Sequence, residues 1–232
     1  MKTIGMLGGM SWESTIPYYQ IINEEVRDRL GGLHSAKIIL YSVEFDEIEQ
    51  CQSSGDWERS GCILGKAAQG LEAAGADFLL ICTNTMHKVA PQIASMVHIP
   101  LVHIADATAD ELEKSHIHKV GLLGTKYTMT QDFYKRILID RGINVTIPDA
   151  SDIDVVNDVI FHELCVGEVR EESRRQFQRI IGSLREKGAE GVILGCTEIG
   201  LLIRQSDSPL PVFDTTVIHA KRAAKIALDI AE

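Results

Sequence analysis

The sequence is short of positive charge, aromatic residues and long apolar runs, and each shortage removes a class of function. Lys and Arg number 23 against 33 Asp and Glu, a formal net charge of −10, so the summed field repels nucleic acid and anionic membrane surfaces. The longest apolar stretches are pieces such as Phe78-Leu79-Leu80-Ile81-Cys82, far below the roughly 18 residues of a membrane-spanning helix. The start, residues 1–9, has one lysine and a short apolar stretch broken by glycines, which is not the pattern of a secretory signal peptide. Five cysteines, Cys51, Cys62, Cys82, Cys165 and Cys196, are odd in number and contain no C-x-x-C pair. Free thiols in a reducing, cytoplasmic compartment are therefore expected. No His/Cys cluster has zinc spacing, and the glycine-bearing segment 5–11 lacks both G-x-G-x-x-G and the P-loop Gly-Lys-Ser/Thr. No metal is expected, and nucleotide binding has little support.

What is present is the composition of a globular protein, 45% hydrophobic and 24% charged over 232 residues, enough chain for one large domain or two small ones. Short Val/Ile/Leu-rich runs alternate with stretches of helical spacing, the pattern of a parallel sheet covered by helices. The apolar runs predict strands at 3–7, 37–43, 78–83, 101–104, 119–124, 145–148, 191–196 and 211–213. Helical spacing is clearest at 15–30, 57–74, 86–96, 130–140, 153–164, 171–186 and 216–230.

Internal repetition organises these elements. Lys2-Thr3-Ile4-Gly5-Met6-Leu7-Gly8 matches His118-Lys119-Val120-Gly121-Leu122-Leu123-Gly124. The segment 71–84, ending Leu80-Ile81-Cys82-Thr83-Asn84, matches 184–198, ending Leu194-Gly195-Cys196-Thr197-Glu198. A third match sets Ile99-Pro100-Leu101-Val102 against Leu210-Pro211-Val212-Phe213. Three collinear matches imply an α/β fold of two pseudo-symmetric lobes, each a mostly parallel sheet flanked by helices, with the active site in the cleft between them. The expected lobes are residues 1–105 plus 216–232, carrying Cys82, and residues 106–215, carrying Cys196.

In open parallel sheets ligands bind beyond the carboxyl ends of strands, where loops and helix N-termini present backbone N–H groups. Cys82 and Cys196 both fall at such an end, each followed by Thr. Two opposed thiols are what stereoinversion at a carbon acid needs, one to take the α-proton and the other to return a proton to the opposite face. A free cysteine titrates near about 8.5, and helix N-termini or cations lower it toward working pH, so a lowered thiol is expected here. Thr83, Asn84, Thr85 and Thr197 can bind a carboxylate through hydroxyl, amide and helix-start N–H groups; the same residue types also cap helices without a ligand. Glu198 matches Asn84 and either attracts a substrate ammonium or sits in a first helical turn, where negative charge is favoured. The loop Gly5 to Ser11 suits close backbone approach to a small anion, and its repeat mate brings Thr125 and Lys126. Ser11, Thr125, Lys126 and His87 are candidates for supporting positions around the ligand. His219, like His87, is expected to be structural rather than catalytic.

These residues resemble the cofactor-independent aspartate/glutamate racemases over essentially the whole chain. The motifs are Ile4-Gly5-Met6-Leu7-Gly8-Gly9-Met10-Ser11-Trp12-Glu13-Ser14-Thr15, Cys82-Thr83-Asn84-Thr85-Met86-His87 and Gly195-Cys196-Thr197-Glu198-Ile199. The resemblance is closest to the broad-specificity amino-acid racemases. It implies two-base racemisation without PLP, metal or other cofactor, with Cys82 and Cys196 as the acid/base pair. It also implies substrate contacts at Met10, Gln52, Thr83, Asn84, Thr85, Thr197 and Glu198, and a homodimer as the assembly. Glutamate racemases of cell-wall synthesis carry Asp-Ser in the first glycine loop and His after the second Cys-Thr, where this chain has Gly9-Met10 and Glu198. Strict aspartate racemases place basic residues near two positions occupied here by Ile48 and Leu164, which favours a looser pocket that also admits glutamate. The competing expectations are a hydantoin racemase or maleate cis–trans isomerase of the same superfamily, a non-catalytic amino-acid-binding protein, and a thiol redox protein.

Overall fold

A computed structural model describes residues 1–230 and groups them into two units, Met1–Ile104 together with the segment from His219 on, and Ala105–Ile218. Of the expected lobe segment 216–232, residues 231 and 232 lie outside the described residues.

The first unit contains β1 (Thr3–Gly8), α1 (Trp12–Leu30), β2 (Lys37–Ser42), α2 (Phe45–Ser54), α3 (Trp57–Ala73), β3 (Phe78–Ile81), a 3-10 turn (Thr85–Val89), α4 (Ala90–Ala94) and β4 (Leu101–Val102). Its strands are all parallel in the order β2-β1-β3-β4. Alternation along each strand sends successive side chains to opposite faces. Leu7, Leu79 and Ile81 pack on Leu64, Ala67, Ala68 and Leu71 of α3. Ile4, Met6, Phe78, Leu80 and Cys82 pack on Tyr18, Ile22 and Val26 of α1 and on four alanines near the end of the chain, Ala220, Ala223, Ala224 and Ala227. A sheet buried on both faces explains why β1 and β3 read as continuous apolar runs.

The second unit takes up α5 (Ile104–Lys114) from Ala105, its first residue belonging to the first unit, and continues through β5 (Lys119–Gly124), α6 (Lys126–Thr130), α7 (Asp132–Asp140), β6 (Asn144–Thr146), α8 (Ala150–His162), α9 (Glu171–Glu186), β7 (Gly191–Gly195), α10 (Ile199–Leu202) and β8 (Val212–Asp214). Its parallel order, β6-β5-β7-β8, is that of the first unit carried four strands along. The repeat read from the sequence is thus a repeat of topology, and the α/β fold of two parallel sheets flanked by helices is established. The final helix, α11 (Thr215–Ala227), starts in the second unit and from His219 belongs to the first.

Four local expectations are corrected. The helix expected over 86–96 is a 3-10 turn followed by the short α4, with Val89 out of helical geometry and Pro at the start of α4, because Pro91 lacks the N–H that a continuous helix would bond four residues back and suits a first turn. The helix expected over 130–140 breaks at Gln131, whose backbone is extended (φ −90°, ψ 162°). The strand expected to reach residue 104 stops at Val102, and Ile104 opens α5. Finally α2, which carries Gln52, lies where no helix was singled out; its apolar positions are few and its first turn is acidic, so periodicity gives little signal there.

Candidate active site

In the first unit two loops share one end of the sheet, because β1 and β3 are neighbours paired from Ile4↔Phe78 to Leu7↔Ile81. The Cys82 N–H donates to the Leu7 carbonyl at 2.9 Å, carrying the ladder one residue beyond β3. The loop after β1 is stapled to the first turn of α1. Gly9 N–H donates to Thr15 Oγ1 at 3.0 Å, and the Thr15 and Ser14 hydroxyls donate to the Ser11 carbonyl at 2.8 and 3.2 Å. Gly9 has φ +91°, and a Cβ there would lie 2.4 Å from the Val43 carbonyl oxygen, so only glycine fits this approach. Met10 is buried among Leu7, Ile48, Ile81 and Met86, and Ser11 is buried beside it.

Cys82, Thr83, Asn84 and Thr85 are all buried. The Thr83 carbonyl accepts from His87 Nδ1 at 2.8 Å, and the Asn84 carbonyl accepts from the His87 N–H at 3.1 Å. Gln52 is buried on α2.

The second unit repeats this arrangement with different side chains. β5 and β7 pair up to Gly124↔Gly195, so Thr125 and Cys196 leave the sheet at the same end. A Cβ on Gly195 would sit 2.7 Å from the Leu123 carbonyl oxygen, which is why glycine precedes this cysteine. Cys196 Sγ donates to Glu198 Oε2 at 2.8 Å, and Thr197 Oγ1 donates to the same oxygen at 3.0 Å, with all three residues buried. Thr125 caps α6, its hydroxyl oxygen accepting from Thr128 N–H at 3.3 Å. Lys126 places its ammonium outward in an exposed pair with Asp154 at 2.9 Å, which holds its proton more tightly.

The electrostatics reverse one expectation. Both thiols were expected to be lowered toward neutral pH, and both are raised. Burial pushes Cys82 up. Burial, followed by the Glu198 carboxylate, pushes Cys196 well up. A thiolate in an apolar interior loses its hydration, and the group hydrogen-bonded to Cys196 is a carboxylate where a lowered thiol requires a cation. The sequence identified Glu198 but not the direction in which its side chain turns.

Ile48 and Leu164 are both fully buried in apolar clusters, Ile48 in the first unit and Leu164 in the second. Among the described residues no group of three or more His, Cys, Asp or Glu side chains is placed to hold a metal ion. Residues that sequence reasoning left out are Tyr18, which is buried, and His103, which is half-buried; they meet the buried His87 and His219 in one cluster. No local motif announces it, since its members come from four separate segments.

The sequence pattern of the Asp/Glu/hydantoin racemases matches residues 7–223. A broad-specificity amino-acid racemase, RacX of Bacillus subtilis (strain 168), is 24% identical over 225 residues, covering 94% of this chain and 95% of the relative. A crystal structure from Yersinia pestis, assigned to the Asp/Glu racemases, superposes with a TM-score of 0.90 at 54% identity, over 98% of this chain and 100% of that one. An aspartate racemase homologue from Pyrococcus horikoshii OT3 superposes with a TM-score of 0.85 at 38% identity, over 98% and 100% of the two chains. With a match that begins in the first glycine-bearing strand, takes in both Cys-Thr loops and ends in α11, the chain belongs to the Asp/Glu/hydantoin racemase family.

Proposed function

We propose that this racemase inverts aspartate and glutamate without PLP or metal, using Cys82 and Cys196 on opposite faces of the substrate α-carbon. The observation that carries this reading is the hydrogen bond from Cys196 Sγ to Glu198 Oε2 at 2.8 Å. A raised thiol is a poor base until something accepts its proton, and a buried carboxylate at hydrogen-bond distance is such an acceptor.

For one enantiomer the proton moves from Cys196 to Glu198, and the Cys196 thiolate takes the α-proton. The Cys82 thiol then delivers its own proton to the other face. Cys196 ends as thiol, Glu198 as carboxylic acid and Cys82 as thiolate, so atoms and charge balance; the opposite enantiomer is processed by the reverse sequence, and transfer of the Glu198 proton to Cys82 by way of solvent restores the starting form. Thr83, Asn84, Thr85 and Thr197 hold the α-carboxylate by hydroxyl, amide and loop N–H donors. Met10 and Gln52 complete the substrate contacts, with Ser11, Thr125, Lys126 and His87 as supporting positions. Apolar Ile48 and Leu164 offer the side-chain carboxylate no cation, which favours a pocket that does not enforce one chain length.

The test is loss of the α-proton signal in D₂O for each enantiomer of both acids, with chiral chromatography on the same samples. Exchange with formation of both enantiomers supports the reading. Discrimination between the two acids by more than about 10³ in kcat/KM, on the order of 4 kcal/mol, overturns dual specificity. Absence of exchange with either acid overturns the substrate assignment, and hydantoins and maleate are then the substrates to assay.

The same reading places the enzyme in the cytoplasm as a homodimer. All five cysteines are free, which fits a reducing compartment. The second copy would cover the outer face of α1 and the edge strand β2. Trp12, Ile16, Tyr19 and Leu40 are exposed there, with Leu33 in the loop that joins the two elements, and the first four line a groove of about 210 Å³ with Thr15 and Ser42. The exposed surface of these five sums to roughly 600 Å² at the usual size of such side chains, the larger part of the roughly 800 Å² that each partner of a stable pair buries. Sedimentation velocity should show a dimer that Tyr19→Lys dissociates. A wild-type monomer at micromolar concentration overturns this assembly.

A further inference from the structure

We propose that His87 is a positioning residue, a neutral imidazole with its proton on Nδ1 that ties the Cys82 loop to the segment where the chain leaves the first unit. This rests on the reading of Cys82 as catalytic. The Ile104 backbone N–H, which can only donate, points at His87 Nε2 at 3.2 Å. The Thr83 carbonyl, which can only accept, lies 2.8 Å from Nδ1. Both contacts demand the same tautomer, and neither survives its alternative. Ile104 is the last residue of the first unit before the chain crosses to the second, so one ring grips the catalytic loop with one nitrogen and the crossing with the other.

A second ring completes the device. His219, the residue at which the chain returns to the first unit, lies 2.9 Å from the Val102 carbonyl through Nε2 and 2.9 Å from the Tyr18 hydroxyl through Nδ1. A carbonyl needs a donor, so Nε2 carries the proton and Nδ1 accepts from Tyr18. The segment 102–104 is therefore held at Val102 by His219 and at Ile104 by His87, with the His103 ring between them in sequence and 4.5 Å from His87 between ring centroids. Tyr18, His87 and His219 are buried. The titratable groups that face the two rings are each other, His103, Arg222 and the Tyr18 phenol. None of these, among the described residues, is a carboxylate; the carbonyls of Thr83, Asn84 and Val102 favour an imidazolium but are outweighed. Burial and the neighbouring histidines lower His87 well below its ordinary value.

The chemical consequence lies at Thr83. Its carbonyl is part of the peptide plane that presents the Asn84 N–H, and it is one residue from the thiol. Fixing that plane fixes both the direction of Cys82 Sγ and a donor in the carboxylate-binding loop. In catalysis a misplacement on the order of 1 Å costs about a hundredfold.

Two substitutions separate the two grips. His87→Asn can place an amide N–H near the position of Nδ1 and keep the Thr83 contact, whereas His87→Gln can offer an oxygen near the position of Nε2 and keep only the Ile104 contact. The expected result is a fall in kcat of roughly tenfold to a hundredfold for His87→Gln, with KM little changed and with partial recovery in His87→Asn. Peptide-resolved alkylation by iodoacetamide should change at Cys82 and stay constant at Cys196, a readout that does not need the racemase chemistry to be right. Because racemisation has an equilibrium constant of one, kcat/KM must fall equally in both directions. The α-deuterium isotope effect, by contrast, should rise only in the direction in which Cys82 takes the proton. In the unsubstituted protein, ¹⁵N-histidine spectra should show His87 as the Nδ1–H tautomer with no titration between pH 8 and about 5. Wild-type kcat with unchanged Cys82 alkylation in His87→Gln overturns the proposal. Equal effects at both cysteines, or an Nε2–H tautomer, also overturn it.

Discussion

Cys82 and Cys196 occupy equivalent places in two copies of one topology, yet their surroundings differ. Cys82 is followed by Thr83-Asn84, and the cause that raises it is burial alone. Cys196 is followed by Thr197-Glu198, and a carboxylate accepts its S–H proton. The backbone repeat fixes where each thiol sits, burial makes both protons hard to remove, and the residue two positions on adds to this at Cys196 alone. Repetition of topology does not make the two strand ends chemically alike.

The largest effect should come from deleting either member of the pair. Cys82→Ser and Cys196→Ser should each lower racemisation by at least about 10³, within the range for loss of a positioned acid or base, while weak one-sided α-proton exchange persists. Racemisation at the wild-type rate in either variant ends the two-base reading.

Making the two sites alike is the next test. Glu198→Gln gives Cys196 a neutral amide as Cys82 has in Asn84, and kcat should fall about 10² as the proton acceptor is lost. Single-turnover exchange from each enantiomer checks whether the loss is confined to the direction that Cys196 initiates. The comparison also has a pH signature. Both thiols are raised, so the working thiolate is made by proton transfer to Glu198 within the site, which exchanges no proton with solvent, and kcat/KM should stay nearly flat between about pH 6 and 8. A profile that climbs tenfold per pH unit would mean that the thiol ionises to solvent and that Glu198 is not its proton acceptor.

A smaller effect belongs to stability. Burial lowers His219 to about 3 and His87 in the same direction, against about 6.5 in the unfolded chain. Folding therefore excludes protons that the unfolded state binds. For His219 the contribution is complete above pH 6.5 and lost as pH falls toward 3, at about 1.4 kcal/mol per pH unit, and His87 adds in the same sense. Urea titrations at pH 7 and 5 should show this slope, and His219→Gln should flatten it. The smallest change is expected from Lys126→Met, since an exposed pair such as Lys126–Asp154 contributes about 0–1 kcal/mol; thermal unfolding should barely shift.

Much of this was legible in the sequence because it depends on local pattern. The match of 71–84 with 184–198 located both strand ends, and the doubly buried faces of β3 and β7 wrote themselves as apolar runs. What was hidden depends on direction or distance. No pattern states that Glu198 turns toward Cys196, so the thiols were expected to be lowered and are raised. Tyr18, His87, His103 and His219 converge only after folding. The break at Gln131 and the 3-10 turn before Pro91 arise from single backbone angles that helical periodicity does not carry.

Trp12 offers one last use. It is the first residue of α1, immediately after Ser11 in the stapled loop, and it is 61% exposed. The other tryptophan, Trp57, has the Lys88 ammonium 3.8 Å from its ring centroid. The chain thus carries its own optical reporter beside the glycine loop. With Trp57→Phe as the only change, emission from Trp12 would follow ligand arrival and subunit dissociation in real time, without a dye.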